Sequence, residues 1–495
     1  MSSLLRQASA WNAARLCPLA LLAACGGGGN DPSVPANITL NPPSISFGAL
    51  GQTQQLSPTI TDQQGNVLTE STVTWTSSDA GVVTVSSTGL VTAEGGGSAQ
   101  VTATAGSATA AVEVVVAQTP TQMQKIAGDG ETAVAGQAVP NPPAVQVHDA
   151  NNNPVSGVVV TFELISGRGR ITESSAVTDN SGIARLGSWS LGSKGANVLQ
   201  ATAQGSGISG NPAVFTAVGT SSFNITLRFL GSSTASQQQA FADAQARWES
   251  LVTGDLPNVQ LQAAAGECGS NSPAMNEAVD DLVILVTLEP IDGPGNVLGS
   301  AGPCFVRTSG DLSVLGAMIF DSADLDDIEA EGLLQDLILH EMGHVLGFGS
   351  LWDLQGLLAD PSLPPNNGID PHFTGPQAIA VFNSLGGSTY TGAKVPVEDT
   401  GDEGTADGHW RESVFANEIM TGYVDAGQNP LSNVTVASLA DQGYTVNLVG
   451  ADPYSLALSL RASSASPRLT LRNDLLRVPI RRIDGNGRVV GLVGR

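Results

Sequence analysis

Histidine and cysteine are rare in this chain, with 5 and 4 among 495 residues, and aromatic side chains make up only 4% of it. Scarce aromatics beside plentiful Gly, Ser, Thr, Ala and Val argue against a helical bundle and for many short strands joined by turns. Positive charge is short too: 20 Lys and Arg stand against 45 Asp and Glu, a formal charge of -25. That excludes nucleic acid as a partner, because neutralising phosphates takes clustered Lys and Arg. Beyond Cys25 no apolar run approaches the roughly 20 residues that a membrane-spanning helix needs. The length suggests about three domains.

What the chain does have begins at its N-terminus. Arg6 and Arg15 precede the apolar run "LCPLALLAA", too short to span a bilayer and suited to a secretory signal. The run ends in Leu22-Ala23-Ala24-Cys25 and passes into "GGGGNDPS". This resembles a bacterial lipobox, which implies a signal peptide over 1–24, lipid on Cys25, and a Gly-rich tether over 25–36. An ordinary cleaved signal is the competing reading. Gly26 is not the aspartate of an inner-membrane retention signal, so the expectation is an exported lipoprotein anchored in the outer membrane or at the cell surface. Cys17 falls within the signal, which leaves Cys268 and Cys304 to pair in an oxidising compartment. Such a loop is worth roughly 3 to 4 kcal/mol in the chain-entropy view.

Residues 37–117 read as short alternating strands, with Val73 and Trp75, then Val83 and Val85, on one face. "WTSSDAGVVTVSSTGLVTA" resembles the bacterial Ig-like domains of group 2. Residues 118–220 form a second such unit, whose turns "DANNNP" and "DNSG" carry the residues that tight turns need. "VQVHDANNNPVSGVVVTFEL" resembles invasin-type Ig-like domains, and His148 within it is expected to face solvent. Tandem sandwiches of this kind act as spacers or as adhesive modules.

After residue 221 strands alternate with longer helices, which indicates an α+β domain over 221–450. Phe241, Ala244 and Trp248 recur at helical spacing and mark a core face. The apolar "GAMIF" strand is expected to line a cleft and to pair with an extended peptide by strand addition. Residues 451–495 hold eight of the twenty basic residues, all Arg, and "VPIRRIDGNGRVVGLV" reads as a hairpin around DGNG. This Arg-rich extension either docks on its own domain, binds an acidic surface, or is loosely ordered.

Two of the five histidines lie in "LILHEMGHVLGFGSLW". His340 and His344 share one helix face, so both imidazoles can reach one metal. Zinc suits imidazole ligands, and Glu341 beside them can take a proton from water without becoming a ligand. Gly347 offers the positive φ that ends the helix. The stretch "DLDDIEAEGLLQDLIL" is read as the start of that same helix, its acids favoured by the helix dipole. A catalytic zinc needs a third protein ligand. H-E-x-x-H-x-x-G-x-x-H would put a histidine where the chain has Ser350. Downstream, His372 in "NNGIDPHFTG" and His409 in "GTADGHWRESVFANEIMTGY" both remain open on residue type alone.

"HEMGHVLGFG", an insertion over about 350–408, "GHW" and "EIMTGY" together resemble the leishmanolysin-like metzincin metalloproteases. The resemblance implies zinc held by His340, His344 and His409, with Glu341 as general base and Met420 as the apolar floor of a methionine turn. It implies protein or peptide substrates. Tyr423 does not match the oxyanion-assisting tyrosine of some metzincins and is read as structural. Two departures stand out: once the signal with Cys17 is removed, no cysteine other than Cys25 precedes the domain to act as a latency switch, and the domain has few cross-links. Acidic stretches such as "DSADLDD" raise calcium as a second ion, against a plain helix N-terminal cluster. The fold class expected is thus two all-β Ig-like sandwiches followed by an α+β metzincin-type domain. The function expected is a surface-anchored zinc endopeptidase, the alternative a surface adhesion lipoprotein with an inactive protease-like domain.

Overall fold

The computed structural model describes residues 33–389, 394–402, 404–456 and 468–493. The expected signal peptide, Cys25 and most of the tether lie outside the described residues. The chain divides into two compact units, one up to Gln118 and one from Thr119 onward. Among the described residues no helix is long and apolar enough to cross a membrane.

The first unit is all-β. One sheet orders strands 44–47, 108–116, 97–105 and 74–77, and a second orders 53–55, 90–93 and 83–85. Along 108–116, Val112, Val114 and Val116 point inward while Thr109, Ala111 and Glu113 are exposed, the period-2 pattern of a half-buried strand. These valines meet Ile45, Phe47, Leu56, Val83 and Val91 in one core.

The second unit begins with another sandwich, a five-stranded sheet (131–134, 213–220, 195–203, 159–166, 175–177) and a three-stranded one (122–127, 144–148, 183–185). Trp189, Phe162, Phe215 and Leu199 fill the space between them. His148 is buried there, contrary to the solvent-facing position expected, because strand 144–148 is covered along nearly its whole length. The turn chemistry recurs through the chain. Asp62, Asp149, Asp179 and Asp484 each accept backbone N–H groups from the residues two and four positions on, so one carboxylate closes each turn.

The mixed domain that follows is built on one six-stranded sheet. Its elements are β1 (Ile225–Phe229), α1 (Ala235–Leu251), β2 (Leu282–Glu289), β3 (Gly299–Arg307), β4 (Ser313–Asp321), α2 (Leu325–Ala330), α3 (Leu334–Leu346), α4 (Pro376–Ser384), α5 (Asn433–Gln442), β5 (Ile480–Ile483) and β6 (Val489–Val493). The strand order is β1-β2-β4-β3-β5-β6. Only β4–β3 and β5–β6 are antiparallel pairs. Phe241, Ala244 and Trp248 of α1 pack with Leu337, Val345 and Leu346 of α3 and with Met318 and Phe320 of β4. Cys268 and Cys304 form a disulfide, Cα atoms 5.3 Å apart, that ties the loop before β2 to β3.

Three expectations need correction. The acidic stretch and the histidine helix are two helices, not one, because Gly332 takes φ 76° and breaks the run between α2 and α3. "GAMIF" belongs to β4, an interior strand paired on both sides, so its backbone is not free to bind a peptide. A strand buried on both faces reads as a continuous apolar run, and that is what β4 shows. The sheet also does not stop near residue 450. β5 and β6 form the expected hairpin around the DGNG turn and complete the sheet beside β3. Its arginines are paired locally, Arg481 with Glu267 and Arg482 with Asp311.

The second sandwich is fixed to this domain by polar contacts. Lys194 pairs with Glu249 at 2.7 Å, and Glu249 also accepts the Ile225 N–H. Arg168 and Arg247 both pair with Asp452, and the Asn447 amide donates to the Gly192 carbonyl.

Candidate metal centre

The centre is carried by α3, which is clamped along its length. The Trp248 indole N–H donates to the Leu339 carbonyl at 2.9 Å, and the Ser313 hydroxyl to that of Val345 at 2.6 Å. The last turn leaves carbonyls without helical partners. Tyr444 donates to Leu346 and Ser350 to His344. Ser350, standing where the extended motif would have histidine, therefore caps the helix. Gly347 ends it in the left-handed region at φ 116°. Gly349 follows at φ 68°, and a Cβ there would fall 2.0 Å from the Gly408 carbonyl oxygen. That close approach brings the next residue, His409, onto the helix.

His409 arrives on an extended stretch held from both sides. Its carbonyl accepts the Glu398 N–H, and Trp410 bridges to Val397 and Thr421. Asp407 anchors the preceding turn by accepting the Ser362 and Leu363 N–H groups. Trp410 then stacks on Phe415, meets Phe348 and Phe373 edge to face and lies tilted against Trp352, so the rare aromatics gather beside the centre.

His340, His344 and His409 are fully buried and converge. Their Nε2 atoms are 2.9 Å apart for His340–His344 and 3.1 Å apart for His340–His409 and His344–His409. Each Nδ1 faces a backbone carbonyl oxygen: Ile419 at 2.6 Å, Phe348 at 2.9 Å and Thr405 at 2.9 Å, in that order of histidines. A carbonyl only accepts, so Nδ1 carries the proton and Nε2 turns a lone pair inward. Three converging lone pairs repel unless a cation lies among them. Ligands about 2.0 to 2.1 Å from a tetrahedral zinc stand about 3.3 Å from one another. The imidazoles therefore fit zinc.

Glu341 is fully buried, and neither carboxylate oxygen has a hydrogen-bond partner. Gly299 lies close against it, since a Cβ there would stand 3.1 Å from Oε1. Burial, and then the Asp474 carboxylate, push the Glu341 carboxyl well above its usual range. Met420 packs its thioether against Gly343 on α3. Its turn is held by Glu418, a buried carboxylate that accepts N–H groups from Met420 and Ser432 and the Thr435 hydroxyl. Ser432 caps α5, so Glu418 sits where the dipole of that helix favours negative charge. Nothing in the spacing of "NEIMTGY" singled Glu418 out.

One residue at the centre was not foreseen at all. Asp474, 1% exposed, places Oδ2 at 3.0 Å from Nε2 of His409, 3.3 Å from that of His340 and 3.9 Å from that of His344. It joins them as one group of four candidate ligands. Burial alone would raise its carboxyl, but the facing His409 imidazole, and then those of His340 and His344, outweigh that and hold it far below the usual range. Burial and the neighbouring imidazoles hold His344 well below its ordinary value, whereas His409 is held above its own despite burial, because it faces Asp474. The carboxylate draws positive charge to this point, and a divalent ion satisfies it as a proton would.

The other candidates lie elsewhere. His372 is in strand 372–373, its Nδ1 2.7 Å from the Asp370 carbonyl, and is not part of the group. Tyr423 opens strand 423–425, which pairs with 468–470. In "DSADLDD", Asp321 and Asp324 accept backbone N–H groups of Asp292, Gly293 and Gly295 and so hold a loop. No cluster of three potential ligands forms in that stretch among the described residues.

A mixed sheet thus carries an H-E-x-x-H helix, with the sequence-distant His409 and Met420 brought against it as one candidate metal centre. Residues 271–457 match the model of the leishmanolysin peptidase family, and residues 36–116 that of the bacterial Ig-like domain, group 2. The chain thus carries a leishmanolysin-like metalloprotease region behind an Ig-like one, and Asp474 lies beyond the matched residues. Among solved structures it is similar to the Yersinia pseudotuberculosis adhesin InvE (20% identity, 39% of this chain and 62% of that one, TM-score 0.24). It is also similar to invasin, a bacterial integrin-binding protein (16%, 37% and 38%, TM-score 0.26), and to the Escherichia coli adhesin FdeC (18%, 37% and 63%, TM-score 0.23). The chain spans less than two thirds of each. No curated protein matches it.

Proposed function

We propose that this protein is a zinc endopeptidase, exported and anchored at the cell surface through lipid on Cys25. The observation that carries the reading is the convergence of three imidazole Nε2 atoms next to a buried carboxylate, Glu341, that has no other partner. His340, His344 and His409 would hold the ion. Zinc in such a site supplies Lewis acidity toward water and a peptide carbonyl. Glu341 takes the proton of the attacking water and hands it to the amine of the departing peptide. Its raised affinity for protons suits both halves of that transfer. The backbone carbonyls behind each Nδ1 fix the three imidazoles in one tautomer. Met420, its thioether against Gly343 of α3, gives the site a dry floor.

The test is casein hydrolysis by the full chain with a zinc chelator and then with zinc restored. Cleavage lost to the chelator and regained with stoichiometric zinc supports the reading. Cleavage indifferent to the chelator would overturn it. For the anchor, Cys25→Ser should move the protein from the membrane pellet to the soluble fraction; a variant that still sediments with membranes removes the lipid from the account.

A further inference from the structure

We infer that residues 471–483 are a built-in inhibitor of the metal centre, with Asp474 as a fourth protein ligand in the position a catalytic site leaves open. The inference rests on the zinc-binding reading above and concerns how that site is regulated.

The geometry supports a ligand better than a chance ion pair. Asp474 Oδ2 lies 3.0 and 3.3 Å from two Nε2 atoms, the spacing these atoms keep from one another. Its other oxygen, Oδ1, is buried without a hydrogen-bond partner. The Nδ1 protons of all three histidines point away, toward backbone carbonyls. A carboxylate facing three lone pairs is held there by a cation between them. Zinc sites with three protein ligands keep a place for water, and those with four are closed. The set His340, His344, His409 and Asp474 is of the closed kind.

The backbone around Asp474 blocks the second requirement of a peptidase, a place for the substrate main chain. Without the C-terminal segment, β3 would be the edge of the sheet, and Gly299 at its start lies against Glu341. An exposed edge is where an extended peptide pairs. Here Ala301 gives its N–H to the Asp474 carbonyl at 2.7 Å and accepts the Leu476 N–H at 2.8 Å. Further along, Phe305, Val306 and Arg307 pair in parallel with β5. The chain's own C-terminal strand thus fills the edge, and a carboxylate from it reaches the ion. Beside it a cleft of about 480 Å³ remains, walled by Glu289, Ser300, Ile319, Asn473, Leu475 and Arg477. Displacing the segment would join that cleft to the metal centre. The upstream chain holds no cysteine for a thiolate latch apart from Cys17 and Cys25. Asp474 supplies an oxygen in that place from the opposite end.

The experiment uses the full chain loaded with cobalt(II), titrated with acetohydroxamic acid, and the zinc-loaded chain assayed on casein. If the released state is populated at about 1%, apparent affinity for a ligand of the open position falls about 100-fold. Asp474→Ala should therefore bind acetohydroxamate, read from the cobalt visible spectrum, about 100-fold more tightly than the wild type. Its casein cleavage should rise in parallel. Leu476→Pro, which removes the N–H donated to Ala301 without touching the ion, should move both readouts the same way. Wild-type and Asp474→Ala chains that bind the hydroxamate equally would overturn the inference, as would cobalt lost outright from Asp474→Ala, which would make Asp474 a structural ligand of a closed site and not a releasable inhibitor. A variant that binds hydroxamate tightly yet cleaves nothing would keep the latch and overturn the peptidase reading instead.

Discussion

Glutamine in place of Glu341 is expected to lower casein cleavage by about 10²- to 10⁴-fold, the usual contribution of a positioned general base. The change is best made in the Asp474→Ala chain, where the rate to be lost is largest. Glutamine has the shape of glutamate, and its amide cannot take the proton that attacking water must give up. Zinc content should stay at one per chain, because Glu341 directs neither oxygen to a histidine and is not one of the four grouped ligands. Stability should hold or rise, since Glu341 is a buried carboxylate with no partner and burying a charge in that condition is costly. The checks are initial rates, zinc by mass spectrometry and the thermal midpoint of the same preparation. A rate within twofold to threefold of the parent would mean that another group carries the proton.

His409→Ala should be the most damaging single change to metal binding. Losing a residue that merely orients a ligand typically weakens metal affinity by 10 to 100-fold, and losing the ligand itself should exceed about 100-fold. Linkage between metal binding and folding gives this substitution a second signature. An ion bound at about 1,000 times its dissociation constant adds about 4 kcal/mol to folding stability. The wild type should therefore melt at a clearly lower temperature with chelator than with zinc, while His409→Ala should show almost no difference. His372→Ala should behave as wild type, since His372 faces the Asp370 carbonyl and not the centre.

Much of this site was legible because its parts are rare residues in short range. His340, Glu341 and His344 lie within one helical turn and a half, and Trp410 and Met420 stand close after His409. What escaped notice was set by the sheet. Asp474 follows Met420 by a long interval with no fixed spacing, and only strand pairing at Ala301 brings it to the histidines. A lone acid in the leucine- and arginine-rich stretch "LTLRNDLLRVPI" was the one available signal. Interior strand β4 was mistaken for a free edge because strand order, unlike burial, leaves no mark in a local pattern. The break at Gly332 was passed over because the acids of α2 fit a helix N-terminus equally well, whether or not that helix continued. His148 was misplaced because alternation along a strand predicts one wet face, and this strand has almost none.

The central claim is that two histidines of one helix and the sequence-distant His409 hold one zinc. Metal analysis of the purified full chain beside its His340→Ala, His344→Ala, His409→Ala and His372→Ala variants tests it most directly. The account predicts one zinc per chain for the wild type and His372→Ala, and none retained through dialysis by the other three. Zinc kept by His409→Ala and lost by His372→Ala would contradict it.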